Sequence, residues 1–197
     1  TASDGGSVNL SGLTTVTVPN DYEDRLSFLV SDTATIDLGS LSTATGASGQ
    51  VYFEVSGGAS LDLPGLSALS NGRFFATGGS QLTAGTSAWT LESSSLLNNT
   101  YALVSATNAG SLLDLSGMTA LDASFNSVNA SVQSHNITAS DGGSVNLSGL
   151  TTVTVPREPR TFGASMCSSS GAIIERRGKC PPYETAKGYL AAVFTTA

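Results

Sequence analysis

One short phrase recurs along this chain and limits what it can fold into: an apolar residue, Asp or Asn, Leu, a small turn, another apolar residue, Ser or Thr, and then a third apolar residue. It reads VNLSGLTTV from Val8, IDLGSLSTA from Ile36, LDLPGLSAL from Leu61, LDLSGMTAL from Leu113 and VNLSGLTTV again from Val145, with a worn copy, LTAGTSAW, from Leu82. The first apolar residue returns after 28, 25, 21, 31 and 32 residues. Periods in this range mark stacked-repeat architectures, in which no single repeat buries its own apolar face.

Within the phrase, Ile36-Asp37-Leu38 and Leu61-Asp62-Leu63 alternate apolar, acidic, apolar. The two-residue period of a strand sends the apolar pair to one face and the carboxylate to the other. The following Gly39-Ser40 or Pro64-Gly65 is turn chemistry. Upstream of each phrase lies another apolar stretch, such as Phe28-Leu29-Val30, Tyr52 to Val55, Phe74 to Ala76 or Tyr101 to Val104, joined to the phrase by SDTAT, SGGAS, TGGSQ or SDGGS corners. Each unit is thus three short strands and three corners. The predicted fold is all-β, a parallel β-helix (β-solenoid) of about six coils with a C-terminal cap or irregular tail.

At about 4.8 Å per coil, six coils make a rod roughly 29 Å long. Right-handed winding is expected of parallel crossovers. The longer units carry more residues than three sides need, so Asn20 to Arg25 and Asn126 to Ser134 are predicted to loop outward. A β-sandwich of short strands is the competing arrangement. Disorder, the other common source of Gly and Ser enrichment, does not fit regularly placed Leu, Val, Ile and Phe.

Charge divides the chain. Residues 1–156 hold 12 acidic side chains against Arg25 and Arg73 and no Lys, whereas residues 157–197 hold six basic and three acidic. The boundary, Pro156-Arg157-Glu158-Pro159-Arg160, carries two prolines that interrupt a strand ladder. The expected domains are a solenoid over 1–156 and a cap or tail over 157–197. An acidic rod repels nucleic acid and anionic membrane, so neither is an expected partner. The end from Gly188 is too short to span a bilayer. Both cysteines, Cys167 and Cys180, fall in the tail, at a separation that suits one disulfide loop, with two free thiols as the alternative.

Residues 1–19, TASDGGSVNLSGLTTVTVP, recur unchanged at 138–156, an offset of 137 residues. Stacked coils need a shared pattern, not a shared sequence, so this identity implies recent duplication and a longer parent protein in which a block of coils repeats.

Stacked in register, the phrases place one outward residue in a column: Asn9, Asp37, Asp62, Thr83, Asp114 and Asn146. Asp37 and Asp62, one rung apart, would repel by about 1 kcal/mol in water. Calcium, a ligand for carboxylate and carbonyl oxygens, is the one cofactor this column suggests, beside the plainer reading of a solvated face. No other cofactor is expected.

Catalysis is the rival reading of the column. Two carboxylates about 5 to 9 Å apart suit glycoside hydrolysis. A lyase also needs a base, and the solenoid offers only Arg25 and Arg73. His135 is read as a solvent-facing loop residue, and no nucleophile elbow, zinc-protease or nucleotide-binding motif occurs. The chain is therefore expected not to be an enzyme. Thr-x-Thr pairs such as Thr15/Thr17, Thr43/Thr45 and Thr152/Thr154 do not continue as one ice-ordering column, because Ala68-Leu69, Trp89-Thr90 and Ala120-Leu121 interrupt them. Five glycosylation sequons begin at Asn9, Asn98, Asn129, Asn136 and Asn146.

The corners and phrases SDGGSVNLSGL, SGGASLDLPGL and TNAGSLLDLSGM resemble repeats of large bacterial cell-surface and secreted β-helix proteins, the haemagglutinin-like and autotransporter-like adhesins among them. The resemblance covers residues 1–156, is architectural, and transfers no functional residue. It implies an extracellular or cell-surface rod with a structural or adhesive role. Its expected partners are other copies or segments of the parent protein, or an extracellular carbohydrate or surface ligand. Polysaccharide processing by a lyase or glycoside hydrolase is the runner-up.

Overall fold

The structure is a computed structural model that describes residues 1–18, 21, 24–46, 49–85, 87–91, 100–122 and 134–154. Among these residues it is all-β, without a helix, and every strand pairing is parallel. The predicted tail and both cysteines, Cys167 and Cys180, lie outside the described residues, as do residues 20, 22 and 23 of the first predicted outward loop and 126–133 of the second.

The strands fall into parallel sheets. One holds β3 (Arg25–Ser31), β6 (Gln50–Ser56), β9 (Gly72–Thr77), β12 (Thr100–Thr107) and β15 (Ser134–Ser140). A second direction is shared by two sheets, β1 (Ser7–Asn9) with β4 (Thr35–Asp37), and β7 (Ser60–Leu63), β10 (Gln81–Ala84), β13 (Leu112–Asp114) and β16 (Ser144–Asn146). The last holds β2 (Thr15–Val18), β5 (Thr43–Gly46), β8 (Ala68–Ser70), β11 (Ala88–Thr90), β14 (Ala120–Asp122) and β17 (Thr152–Thr154). Each sheet takes every third strand, so the chain visits them in fixed rotation. We call each trio, such as β3-β4-β5, a circuit. In the first circuit Ala2 supplies the missing strand as an isolated parallel bridge to Val30.

Register follows the sequence phrase. Val8 pairs with Ile36, and Leu82 pairs with both Leu61 and Leu113, which pairs in turn with Val145. The worn copy is therefore a genuine rung. Its third strand is one residue out from the sequence alignment: Trp89 lies opposite Leu69 and Leu121, with Ala88 opposite Ala68 and Ala120.

The inward residues of all sheets form one core. Leu38, Leu63 and Leu115, expected to share an interior, are each at most 1 % exposed within it. Phe28, Phe53 and Phe74 stack face to face at centroid spacings of 5.5 Å, and Trp89 meets Phe74 edge-on. Each such ring contributes about 2 to 3 kcal/mol of apolar burial, with stacking adding about 1 kcal/mol. Leu26 and Val153, the exposed large hydrophobics among the described residues, belong to the first-sheet strand β3 and to the final strand β17.

Corners repeat as faithfully as strands. In the phrase, the Leu13, Leu41, Leu66, Met118 and Leu150 amides donate to Leu10, Leu38, Leu63, Leu115 and Leu147 carbonyls. These three-residue returns close the predicted turns. At the SDGGS corners, Asp4-Gly5 and Asp141-Gly142 have positive φ at both central positions, as do Gly57-Gly58 and Gly78-Gly79. That pattern belongs to primed turns, which glycine and, at less cost than most residues, Asp or Asn can adopt.

Candidate functional site

Two groups of side chains are candidates: the predicted Asp/Asn column and a cluster at the starts of the first-sheet strands.

The column forms, with one interruption. Asn9 lies opposite Asp37, and Asp62, Thr83, Asp114 and Asn146 follow one another in register. Asp37 and Asp62, expected on neighbouring rungs of one ladder, stand instead in separate sheets, because β4 and β7 are not paired. Like charges directly opposite one another disfavour pairing, and the ladder breaks where two aspartates would meet.

The polar atoms of this column serve the corner beside them. The amide N–H two residues on donates to Asn9 Oδ1 (Ser11, 2.9 Å), Asp37 Oδ1 (Gly39, 3.0 Å), Asp114 Oδ1 (Ser116, 3.0 Å) and Asn146 Oδ1 (Ser148, 3.1 Å). This is the Asx turn, which explains why the phrase demands Asp or Asn after its first apolar residue. At Asp62 the residue two on is Pro64, which has no N–H to give. Asn146 Nδ2 also donates to Asp114 Oδ1 across 3.1 Å, linking two circuits. Hydrogen bonds from Ser116 and then Asn146 hold the Asp114 carboxyl below the usual carboxylate range, against some burial. Among the described residues no three of His, Cys, Asp and Glu gather as a metal site would require.

The Ser or Thr of the phrase forms a ladder that sequence reading noted as a pattern without assigning it a role. Ser42 Oγ donates to the Thr14 carbonyl (3.0 Å), Ser67 to Ser42 (3.1 Å), Ser87 to Ser67 (3.1 Å), Thr119 to Ser87 (2.7 Å) and Thr151 to Thr119 (3.1 Å). At another corner the buried Ser80 and Ser111 hydroxyls accept from Gly58 and Gly79 amides and donate to Thr77 and Thr107 carbonyls. Each rivets one circuit to the one before it.

The second candidate is built from residues the sequence scattered. Arg25 and Arg73, the basic residues of 1–156, both place their guanidinium 5.1 Å from the centre of the Tyr52 ring. Phe75 stacks on the same ring at 5.8 Å, and the Tyr52 hydroxyl donates to Gln50 Oε1 at 2.9 Å. Arg73 is 6 % exposed and Arg25 lies open. Register explains the meeting, since Tyr52 lies opposite Arg73 and Ser27, and Arg25 opposite Gln50. Aligning the upstream stretches on Phe28, Phe53 and Phe74 is the signal that would have found it.

His135 belongs to this neighbourhood and corrects an expectation. It sits on β15, 2 % exposed, and is not a solvent-facing loop residue. Burial first, and the charge of Arg73 second, push its pKa down to about 4. In sequence, the first-sheet strands β3, β6, β12 and β15 each follow a third-sheet strand after a connecting stretch, at 19–24, 47–49, 91–99 and 123–133. Long insertions at one corner of a repeat array commonly mark its binding face.

Comparison of the chain with protein-family models, with curated proteins and with solved structures finds no match in any of the three.

Proposed function

We propose that residues 1–156 form a six-coil parallel β-solenoid acting as a structural or adhesive segment of a larger extracellular or cell-surface protein. The observation that carries the reading is the use made of the polar residues. Asp37 and Asp114 of the column cap corners, phrase hydroxyls bridge circuits, and the corner serines Ser80 and Ser111 do both. A chain whose recurrent polar groups serve its own stacking is organised as a scaffold. The three-step strand rotation and the shared core support the coil geometry.

Adhesion belongs at the cluster around Tyr52, where the exposed Arg25 guanidinium, held over the Tyr52 ring, offers an anion contact that acidic surface polymers or carbohydrates accept. The test is a panel of neutral and acidic polysaccharides assayed for binding and turnover. Binding without turnover, weakened about tenfold or more by Arg25→Ala, supports the proposal. Turnover abolished by Asp37→Asn or Asp62→Asn would replace it with an enzyme.

A further inference from the structure

The identity of residues 1–19 and 138–156 acquires a meaning once both are placed. Within the described residues, 138–154 repeat 1–17, and the two segments hold equivalent stations: Ser7–Asn9 and Ser144–Asn146 in the second direction, Thr15 to Thr17 and Thr152–Thr154 in the third. The first circuit is seated on the second through Val8 with Ile36, Asn9 with Asp37, Thr15 with Thr43 and Thr17 with Thr45. Its backbone contacts include Ala2 N–H to the Leu29 carbonyl (2.8 Å), Leu10 N–H to the Asp37 carbonyl (3.0 Å) and the Ser42 and Thr43 amides to the Thr14 carbonyl. The last circuit presents the same residues on a surface that no other described strand pairs, since β15, β16 and β17 end their sheets.

We infer that the last circuit of one copy takes the place of the first circuit of a second copy, joining the two head to tail by segment exchange. This rests on the stacked-coil reading above. Every contact of the exchanged interface is one the first circuit already makes: Val145 meets Ile36, Asn146 meets Asp37, Thr152 meets Thr43, Thr154 meets Thr45, and the Thr151 carbonyl accepts the Ser42 hydroxyl as Thr14 does.

β15 of the incoming segment also reaches a stretch of β3 that no described strand pairs on that side. β15 starts at Ser134, four residues before the station equivalent to Thr1. In the parallel register set by Ala2 and Val30, Ile137 falls opposite Phe28 and His135 opposite Leu26. Leu26 is 39 % exposed, whereas Val51, opposite it on the next circuit, is 0 % exposed. Adding a strand to this free edge pairs its backbone and covers that leucine. Such an interface is heterologous and does not close, so it propagates. Each added copy advances five circuits, about 24 Å at the usual strand spacing, which is the structural counterpart of the 137-residue offset.

The experiment is disulfide trapping in the full chain carrying Cys167→Ser and Cys180→Ser. The pair Asp37→Cys with Asn146→Cys is expected to give a ladder of intermolecular disulfide-linked species whose fraction rises with protein concentration. The control pair Asn9→Cys with Asp37→Cys, read at the lowest protein concentration, where copies do not exchange, links within one chain. Monomer at every concentration with an intact control overturns the exchange and leaves the stack standing, whereas failure of the control overturns the stack. Intermolecular linkage by Asn9→Cys with Asn146→Cys instead shows end-on abutment and also overturns the exchange. Should circular dichroism show that the first pair does not fold, Thr45→Cys with Thr154→Cys asks the same question on the third sheet.

Discussion

The first and last circuits carry one sequence in two settings, and they agree in everything local. Asp4 and Asp141 have φ of 53° and 52°, Gly5 and Gly142 of 77° and 81°. The Ser3-to-Gly6 and Ser140-to-Gly143 returns are 2.8 and 2.9 Å, and the Asx bonds at Asn9 and Asn146 are 2.9 and 3.1 Å. They part on burial. Although β2 and β17 both end the third sheet, Val16, paired with Ala44, is 7 % exposed, while its twin Val153, paired with Leu121, is 45 % exposed. Nineteen residues fix a corner wherever they stand, and the neighbouring layer decides what a side chain is worth.

The sharpest way to break this comparison is to truncate the same kind of side chain in a middle circuit and in the last. Leu63→Ala, at a residue 0 % exposed, should cost about 3 to 5 kcal/mol, and Val153→Ala about 0.5 kcal/mol or less, read from chemical denaturation. Equal losses would mean that the middle and the end are packed alike.

The next effect belongs to the last circuit alone, since His135 precedes the duplicated segment. Its folded pKa of about 4 lies below the ordinary value of 6.5, so the unfolded chain takes the proton more readily. Its contribution is whole above pH 6.5, declines as pH falls towards 4, and is spent below that, a loss of up to about 3 kcal/mol. His135→Asn should flatten this slope in a stability-versus-pH series. The Asp114 carboxyl, held below its usual range, adds a further loss only at lower pH.

Twin substitutions then sharpen the local side. Asn9→Ala and Asn146→Ala each remove one Asx bond, but only Asn146 also donates to Asp114, so its variant should be the less stable by about 1 kcal/mol. Smallest of all, Thr151→Val removes a hydroxyl bond to the Thr119 carbonyl and should cost about 0.5 to 1 kcal/mol, while Thr14→Val, where the carbonyl is the ladder partner, should cost less.

The same contrast explains what the sequence disclosed. Strand faces, corner positions and the inward leucines were legible because alternation, Gly-Ser turns and Asp or Asn after an apolar residue act over a few residues. The Tyr52, Arg25, Arg73 and Phe75 cluster was not, because it depends on how circuits of 21 to 32 residues align across the loops between them. His135 was misplaced for that reason, and Trp89 by one residue, since the worn copy spends one residue fewer before its third strand. The break between Asp37 and Asp62 likewise lies between circuits, not within one.

The central claim, that successive circuits lie one over another at a constant rung, is tested most directly by pulsed electron paramagnetic resonance on the outward row Leu29, Glu54, Phe75, Ser105 and Thr138. Spin labels on Leu29 and Ser105, then on Leu29 and Thr138, should report backbone separations of about 14 and 19 Å, one rung of about 4.8 Å apart. Separations that fail to lengthen from the first pair to the second, or that scatter beyond the reach of the labels, would contradict it.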